Sequence, residues 1–292
     1  NKFEILQLNK HKNYRFYRLN ISQKKKISKL LLKYKIFQIV NFAAESHVDR
    51  SIDDPKYFFK NNCLDFVDFV SVLKDYHLNL NKKNKSKFKF LHVSTDEVYG
   101  SLSKNQRTFK EDSSLKPNNP YSSSKAACEL ILRSFSKTYN LPYLITNCSN
   151  NYGKFQNDEK LIPTIFRNAI KNKNIPIYGT GKNVRDWIYV DDHCYAILKV
   201  LTKGKKFHKY NIGANNEISN IDLAKKICSI LDKKVPKLKP HKKLITYVKD
   251  RAGHDFRYGI NSTKIIRLNW KAKIKLDYGL NEIANYYIKK YQ

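Results

Sequence analysis

Methionine is missing altogether from the 292 residues, and glycine is scarce, with 9 in all and none before Gly100. A translated chain begins with Met, so one opening Asn1-Lys2 reads as a fragment or a processed product. The 5 cysteines are odd in number, scattered and without CxxC spacing. That pattern argues against a disulfide frame or a zinc site and for reduced thiols. No uncharged apolar run reaches the ~18 residues of a membrane helix. The N-terminus shows no apolar stretch followed by a small-residue cleavage site, so no signal peptide is visible. These absences point to a cytoplasmic protein with no membrane partner.

Acidic residues are also short: Asp+Glu number 25 against 57 Lys+Arg, a net charge of +32. Such an excess is one electrostatic footprint of nucleic-acid binding. Here, however, the lysines run along the whole chain and accompany much Asn, Ile, Tyr and Phe. Those residue types share A/T-rich codons, so a biased genome would give an ordinary enzyme this composition. The densest runs, 82–87 and 237–243, sit in no helix-turn-helix, zinc-finger or RNA-recognition pattern. No specific nucleic-acid partner is expected.

With 41% hydrophobic and 13% aromatic residues the chain can bury a core. Strand-like runs at Tyr14–Leu19, Phe37–Phe42, Phe88–Val93 and Tyr143–Asn147 alternate with helical stretches. The helical stretches are Gln23–Tyr34, Pro55–Tyr76 and Tyr121–Tyr139. Alternation at this spacing predicts βαβ units and an α/β fold, a doubly wound parallel sheet. After Tyr152 the elements shorten, which suggests a smaller α+β region covering the sheet's open edge. The expected division is 1–151 and 152–292.

Three constellations carry chemistry. Tyr121 and Lys125 stand four apart at the start of a helix, on one face. A nearby ammonium lowers a phenol's pKa, which makes Tyr121 a candidate general base, although YxxxK in a Tyr- and Lys-rich chain also arises by chance. Thr95-Asp96-Glu97 follows a strand's carboxyl end, where α/β sheets bind ligands. Adjacent carboxyls can divide into a protonated acid and an ionised base, which suits an elimination; the bland alternative is a solvated loop. Lys160, Arg185 and Arg251, with their neighbours, are suited to holding a diphosphate, or else form surface ion pairs.

Taken together and in order, these runs are NFAAESHVDRSI (41–52), HVSTDEVYG (92–100), PYSSSKAACE (120–129), TNCSNNYG (146–153), EKLIP (159–163), RDWIYVDDH (185–193), YNIG (210–213) and KDRAGHD (249–255). From about Tyr14 onward the chain closely resembles the dTDP-glucose 4,6-dehydratases, extended short-chain dehydrogenases/reductases. YxxxK is superfamily-wide; the Thr-Asp-Glu, NCSNNYG and RxGHD runs are much narrower.

The resemblance implies a Rossmann-like sheet, a bound NAD regenerated in each turnover, a nucleotide-sugar substrate and a homodimer. The dimer would pair through Pro55–Tyr76 and Tyr121–Tyr139. It implies that Tyr121 takes the sugar 4-hydroxyl proton, Glu97 the C5 proton, and that Asp96 protonates the leaving C6 hydroxyl. Thr95 would orient the oxygen at C4. Lys125 would hold the nicotinamide ribose, with Ala43, Ala44, Ser46 and Asn151 along the cofactor. His47 and Asn150 would face the substrate. Lys160, Leu161, Pro176, Ile177, Tyr178, Arg185, Asn220, Arg251 and His254 would grip its nucleoside diphosphate.

The departures fall on the cofactor side. No G-x-x-G-x-x-G occurs, so the Rossmann unit is expected to be N-terminally incomplete. The adenine-flanking Asp-Ile pair is Asn20-Ile21, an expected Gly-Thr is Leu64-Asp65, and an expected Thr is Asn61. A catalytically inactive truncated relative, a related NAD-dependent epimerase or decarboxylase, and a basic nucleic-acid binder remain as alternatives.

Overall fold

The computed structural model describes residues 7–8, 10–236 and 240–292. Its main sheet has four parallel strands: β1 (Gln38–Asn41), β2 (Lys89–Thr95), β3 (Tyr143–Cys148) and β7 (His208–Ile212), in the order β1-β2-β3-β7. A second sheet has the order β4 (Asn150–Tyr152), β6 (Val184–Tyr189), β8 (Glu217–Ser219). A third pairs β5 (Ile175–Tyr178) with β9 (Ile245–Val248). The helices are α1 (Lys24–Tyr34), α2 (Val48–Asp53), α3 (Pro55–Phe59), α4 (Asp65–Leu78), α5 (Lys82–Lys87) and α6 (Pro120–Tyr139). After them come α7 (Leu161–Ile170), α8 (Val190–Lys203), α9 (Asn220–Lys234), α10 (Thr263–Ile266) and α11 (Leu276–Tyr291).

Side chains alternate across a strand, so neighbouring residues of β2 and β3 feed opposite cores. Phe90 and Ile145 pack with Leu31, Phe66, Leu73 and Leu132 of α1, α4 and α6. Leu91 and Leu144 pack with Ala196 and Val200 of α8, Ile265 of α10, and Trp270. The sheet is therefore covered on both faces. The chain enters this sheet again after residue 152, through α8 and β7. A further core joins α7, α9 and α11 through Ile165, Phe166, Ile227, Leu280 and Tyr287.

α6 starts where its sequence dictates. Asn119 accepts from the Ser122 amide, Ser122 reciprocates, and Pro120 occupies the first turn, where its missing N–H costs nothing. Buried Glu129 then fixes α6 to three strands at once. It accepts from Ser94 Oγ and Asn147 Nδ2, each at 2.6 Å, and pairs with Lys209 Nζ at 2.8 Å.

One expected strand is absent. Tyr14–Leu19 forms no regular structure, and β1 pairs with β2 alone. A strand exists only with a partner for its backbone groups, and among the described residues none lies beside this segment. Among the described residues no helix is long and apolar enough to cross a membrane.

Candidate active site

Above the C-terminal ends of β1 and β2 lies a cleft of about 250 Å³. Its walls bring together residues far apart in sequence. His47, Asn150, Lys160, Leu161, Pro176, Ile177, Tyr178, Arg185, Asn220, Arg251 and His254 all line it, as do Ser46 and Glu97. Of the residues expected to act on or hold the sugar, Thr95, Asp96 and Tyr121 are outside this lining.

Thr95 ends β2 and caps the short 3-10 turn Asp96–Tyr99, accepting from the Glu97 amide at 3.3 Å. Its hydroxyl also bonds Asp96 Oδ1 at 3.3 Å. The turn closes at Gly100 with φ +87°, where a Cβ would meet the Lys116 carbonyl at 2.3 Å, so only glycine fits. Asp96 is 2% exposed. Burial, reinforced by Glu97 and Asp186, pushes its carboxyl well above the usual range. Glu97 is also raised by burial, but Arg185, Arg251 and Lys160 all pull it back down. Both carboxyls are thus raised, Asp96 the further of the two, while three cations hold Glu97 back.

Tyr121 lies in the first turn of α6, its amide donating to Ser51 Oγ at 3.1 Å. Burial, Glu97 and Cys148 push its phenol well above 10, and a hydrogen bond with Thr95 opposes them. The ammonium of Lys125 is engaged elsewhere: it donates to the Val93 carbonyl at 2.8 Å and meets His92 Nε2 at 3.2 Å. The expected help from Lys125 is therefore not among the causes that set this phenol.

One residue escaped the sequence reading. Tyr258 lines the cleft and puts its hydroxyl 3.3 Å from Glu97 Oε2 and 2.6 Å from Asp255 Oδ2. The Arg185 guanidinium stacks 4.1 Å above its ring and is tied to the carbonyls of Val184, Asp255 and Phe256. Asp255 belongs to the RAGHD run, but Tyr258 follows it with no motif of its own. Only the fold shows that its hydroxyl joins two carboxylates.

Charges of both signs alternate along the rim. Arg251 lies 3.6 Å from Asp49, Arg50 pairs with Glu159 at 2.7 Å, and Lys160 donates to the Ser46 carbonyl at 2.8 Å. His254 holds Asp250 at 2.7 Å and is kept on the neutral side by burial. Several buried polar atoms here have no partner: Asp96 Oδ2, Asn150 Oδ1, Asn151 Oδ1, Asn220 Oδ1 and Arg251 Nε. Leaving one such group unmade costs about 1–3 kcal/mol, so this cluster is built for ligands.

The fit to a dinucleotide is good at one end. The Ala43–Ser46 loop follows β1, Lys125 reaches the Val93 carbonyl of β2, Tyr121 bonds Thr95 at its end and Asn151 reaches Cys148 at the end of β3, the edge where a nicotinamide and its ribose would lie. Toward the other end, Asn20 Oδ1 is occupied by the Ser22 amide and hydroxyl, both at 2.8 Å, and Ile21 packs on the α1–α4 core. No glycine turn precedes Gly100 to receive a pyrophosphate.

Comparison with known proteins agrees with this geometry. The family model described as GDP-mannose 4,6 dehydratase matches residues 1–283. A probable dTDP-glucose 4,6-dehydratase of Sinorhizobium fredii is 43% identical over 279 residues, 95% of this chain and 79% of that protein. The dTDP-glucose 4,6-dehydratase of Haemophilus influenzae is 40% identical over 293 residues, covering 99% and 87%. The Bacillus anthracis dTDP-glucose 4,6-dehydratase, solved in complex with NAD, superposes with a TM-score of 0.85 at 39% identity. That match covers 99% of this chain and 84% of the other. The Streptomyces venezuelae enzyme, with NAD and TYD bound, gives 0.88 at 34% identity and the same coverage. With paired carboxyls, a Tyr–Lys helix and a cleft holding Lys160, Arg185 and Arg251 on a shared fold, the chain belongs to the dTDP-glucose 4,6-dehydratase family.

Proposed function

We propose that the protein dehydrates dTDP-glucose to dTDP-4-keto-6-deoxyglucose. The observation that carries this is the buried Asp96–Glu97 pair at the carboxyl end of β2, Asp96 raised well above its usual range and Glu97 drawn back by three cations. An elimination needs both states within reach of one sugar.

Tyr121 accepts the proton of the sugar 4-hydroxyl, and Thr95 orients that oxygen. When bound, NAD supplies a reversible hydride acceptor whose positive ring favours the ionised phenol. Glu97 takes the C5 proton, made acidic by the adjacent ketone. Asp96 gives its proton to the C6 hydroxyl, which leaves as water. Lys125 and Asn151, with Ala43, Ala44 and Ser46, hold the nicotinamide end. Lys160, Arg185, Arg251 and Asn220 hold the diphosphate, while His47, Asn150, Tyr178 and His254 shape the walls.

On this reading residues 1–151 chiefly carry the cofactor and 152–292 chiefly the nucleotide sugar. The protein acts in the cytoplasm, and its five cysteines are free thiols. It pairs as a homodimer through the helices of 55–76 and 121–139, which expose Tyr57, Phe59, Leu64 and Leu130. Incubation with dTDP-glucose and NAD in D₂O tests the chemistry by NMR. A new C6 methyl and deuterium at C5 are expected. A 4-epimerised hexose with its C6 hydroxyl intact would overturn the reading.

A further inference from the structure

Where the turn before α4 crosses the catalytic helix α6, each side presents a cysteine to the other's backbone. Cys63, in the π-turn Lys60–Leu64, donates its thiol to the Ser124 carbonyl at 3.4 Å. Cys128, one turn further along α6 than Ser124, donates to the Asn62 carbonyl at 2.9 Å. The exchange is reciprocal, and it sets the two thiols across the crossing from one another, near enough for each to shift the other's titration. Lys125 lies beside both and favours either thiolate.

The two thiols are not equivalent. Cys63 is partly exposed and its pKa is lowered, first by the neighbouring Cys128 and further by Lys125. Cys128 is 1% exposed, and the neighbouring Cys63 together with burial raises it well above the usual thiol range. A reachable, easily ionised sulfur backed by a hidden one is the arrangement of an attacking and a resolving thiol.

We propose that Cys63 and Cys128 are an oxidation site, closing a reversible disulfide that ties the π-turn to the catalytic helix one turn beyond Lys125. The oxidant is a small disulfide such as oxidised glutathione. The Cys63 thiolate attacks one of its sulfurs, forming a mixed disulfide and releasing one glutathione thiolate. Cys128 loses its proton and attacks the Cys63 sulfur, releasing the second. Two protein thiols are oxidised, one glutathione disulfide is reduced, and the two protons pass to the departing thiolates.

Treatment with oxidised glutathione, alkylation in denaturant and peptide mass analysis test the site. The expected product is a peptide pair joining Cys63 to Cys128 with the loss of two hydrogens, reversed by dithiothreitol. Cys128→Ser should trap a glutathione adduct on Cys63. Both thiols alkylated in the treated parent, a lasting adduct on Cys63 in the parent, or a bridge from Cys63 to another cysteine would each overturn the proposal. Since peptide masses need no turnover, failure here and failure of the dehydratase reading are told apart.

Discussion

The two sides of the cleft are built to different standards. On the substrate side, eleven expected residues from seven separate stretches of chain converge on one cavity, with buried polar atoms still waiting for partners. On the cofactor side, among the described residues β1 has a partner on one edge only, Asn20 is occupied by its own turn, and Leu64 stands exposed where the resemblance led one to expect glycine. Convergence from many segments is hard to keep without function. Local substitutions in one helix or turn are easily tolerated.

This contrast predicts that changes on the substrate side cost far more. Glu97→Gln should lower turnover about 10²–10⁴-fold, the usual worth of a general base, and NADH should accumulate after single-turnover mixing. Asn20→Asp on the other side should change NAD affinity by less than about tenfold. Equal losses from both would erase the difference.

Asp96 offers a test in stability. Its folded pKa lies well above the unfolded value, so its favourable contribution is complete below the unfolded pKa and is lost as pH rises through the folded one. Asp96→Asn should therefore raise Tm at neutral pH, by about 2–4 °C for each kcal/mol recovered, while activity falls. The gain should shrink toward zero in acid. A variant that melts earlier than the parent at pH 7 would place Asp96 in a supporting role.

Calorimetry with the two ligands sharpens the comparison directly. The 292 residues offer Lys160, Arg185 and Arg251 to one diphosphate and no glycine turn to the other. dTDP should bind at least about tenfold more tightly than NAD, a difference of ~1.4 kcal/mol. The smallest effect concerns the charge of +32. Binding to duplex DNA should be weak, without sequence preference, and gone at moderate salt. A preference that survives physiological salt would mean a second function.

Much of this was legible because short-range signals carried it. The apolar runs at 37–42, 88–93 and 143–147 became β1, β2 and β3, and Asn119-Pro120 announced the start of α6. The run at Tyr14–Leu19 has the same look and no partner, and a pattern cannot report whether a neighbour exists. The fourth strand, His208–Ile212, joins β3 across some sixty residues of other structure, a pairing no local window contains. Tyr258 was invisible for the same reason: its distance from Glu97 is 161 residues in sequence and 3.3 Å in space.

Arg185 carries one more consequence. Its guanidinium is 5% exposed, rests on the Tyr258 ring and is fixed by three backbone carbonyls. Such a side chain has already given up its rotamer freedom during folding, so a phosphate arriving beside it has no arm to immobilise. The charge is preorganised. Lysine, with a flexible stem and no planar face to stack, would keep the charge and lose that advantage. The entropy of recognition at this position is settled when the chain folds, before any nucleotide arrives.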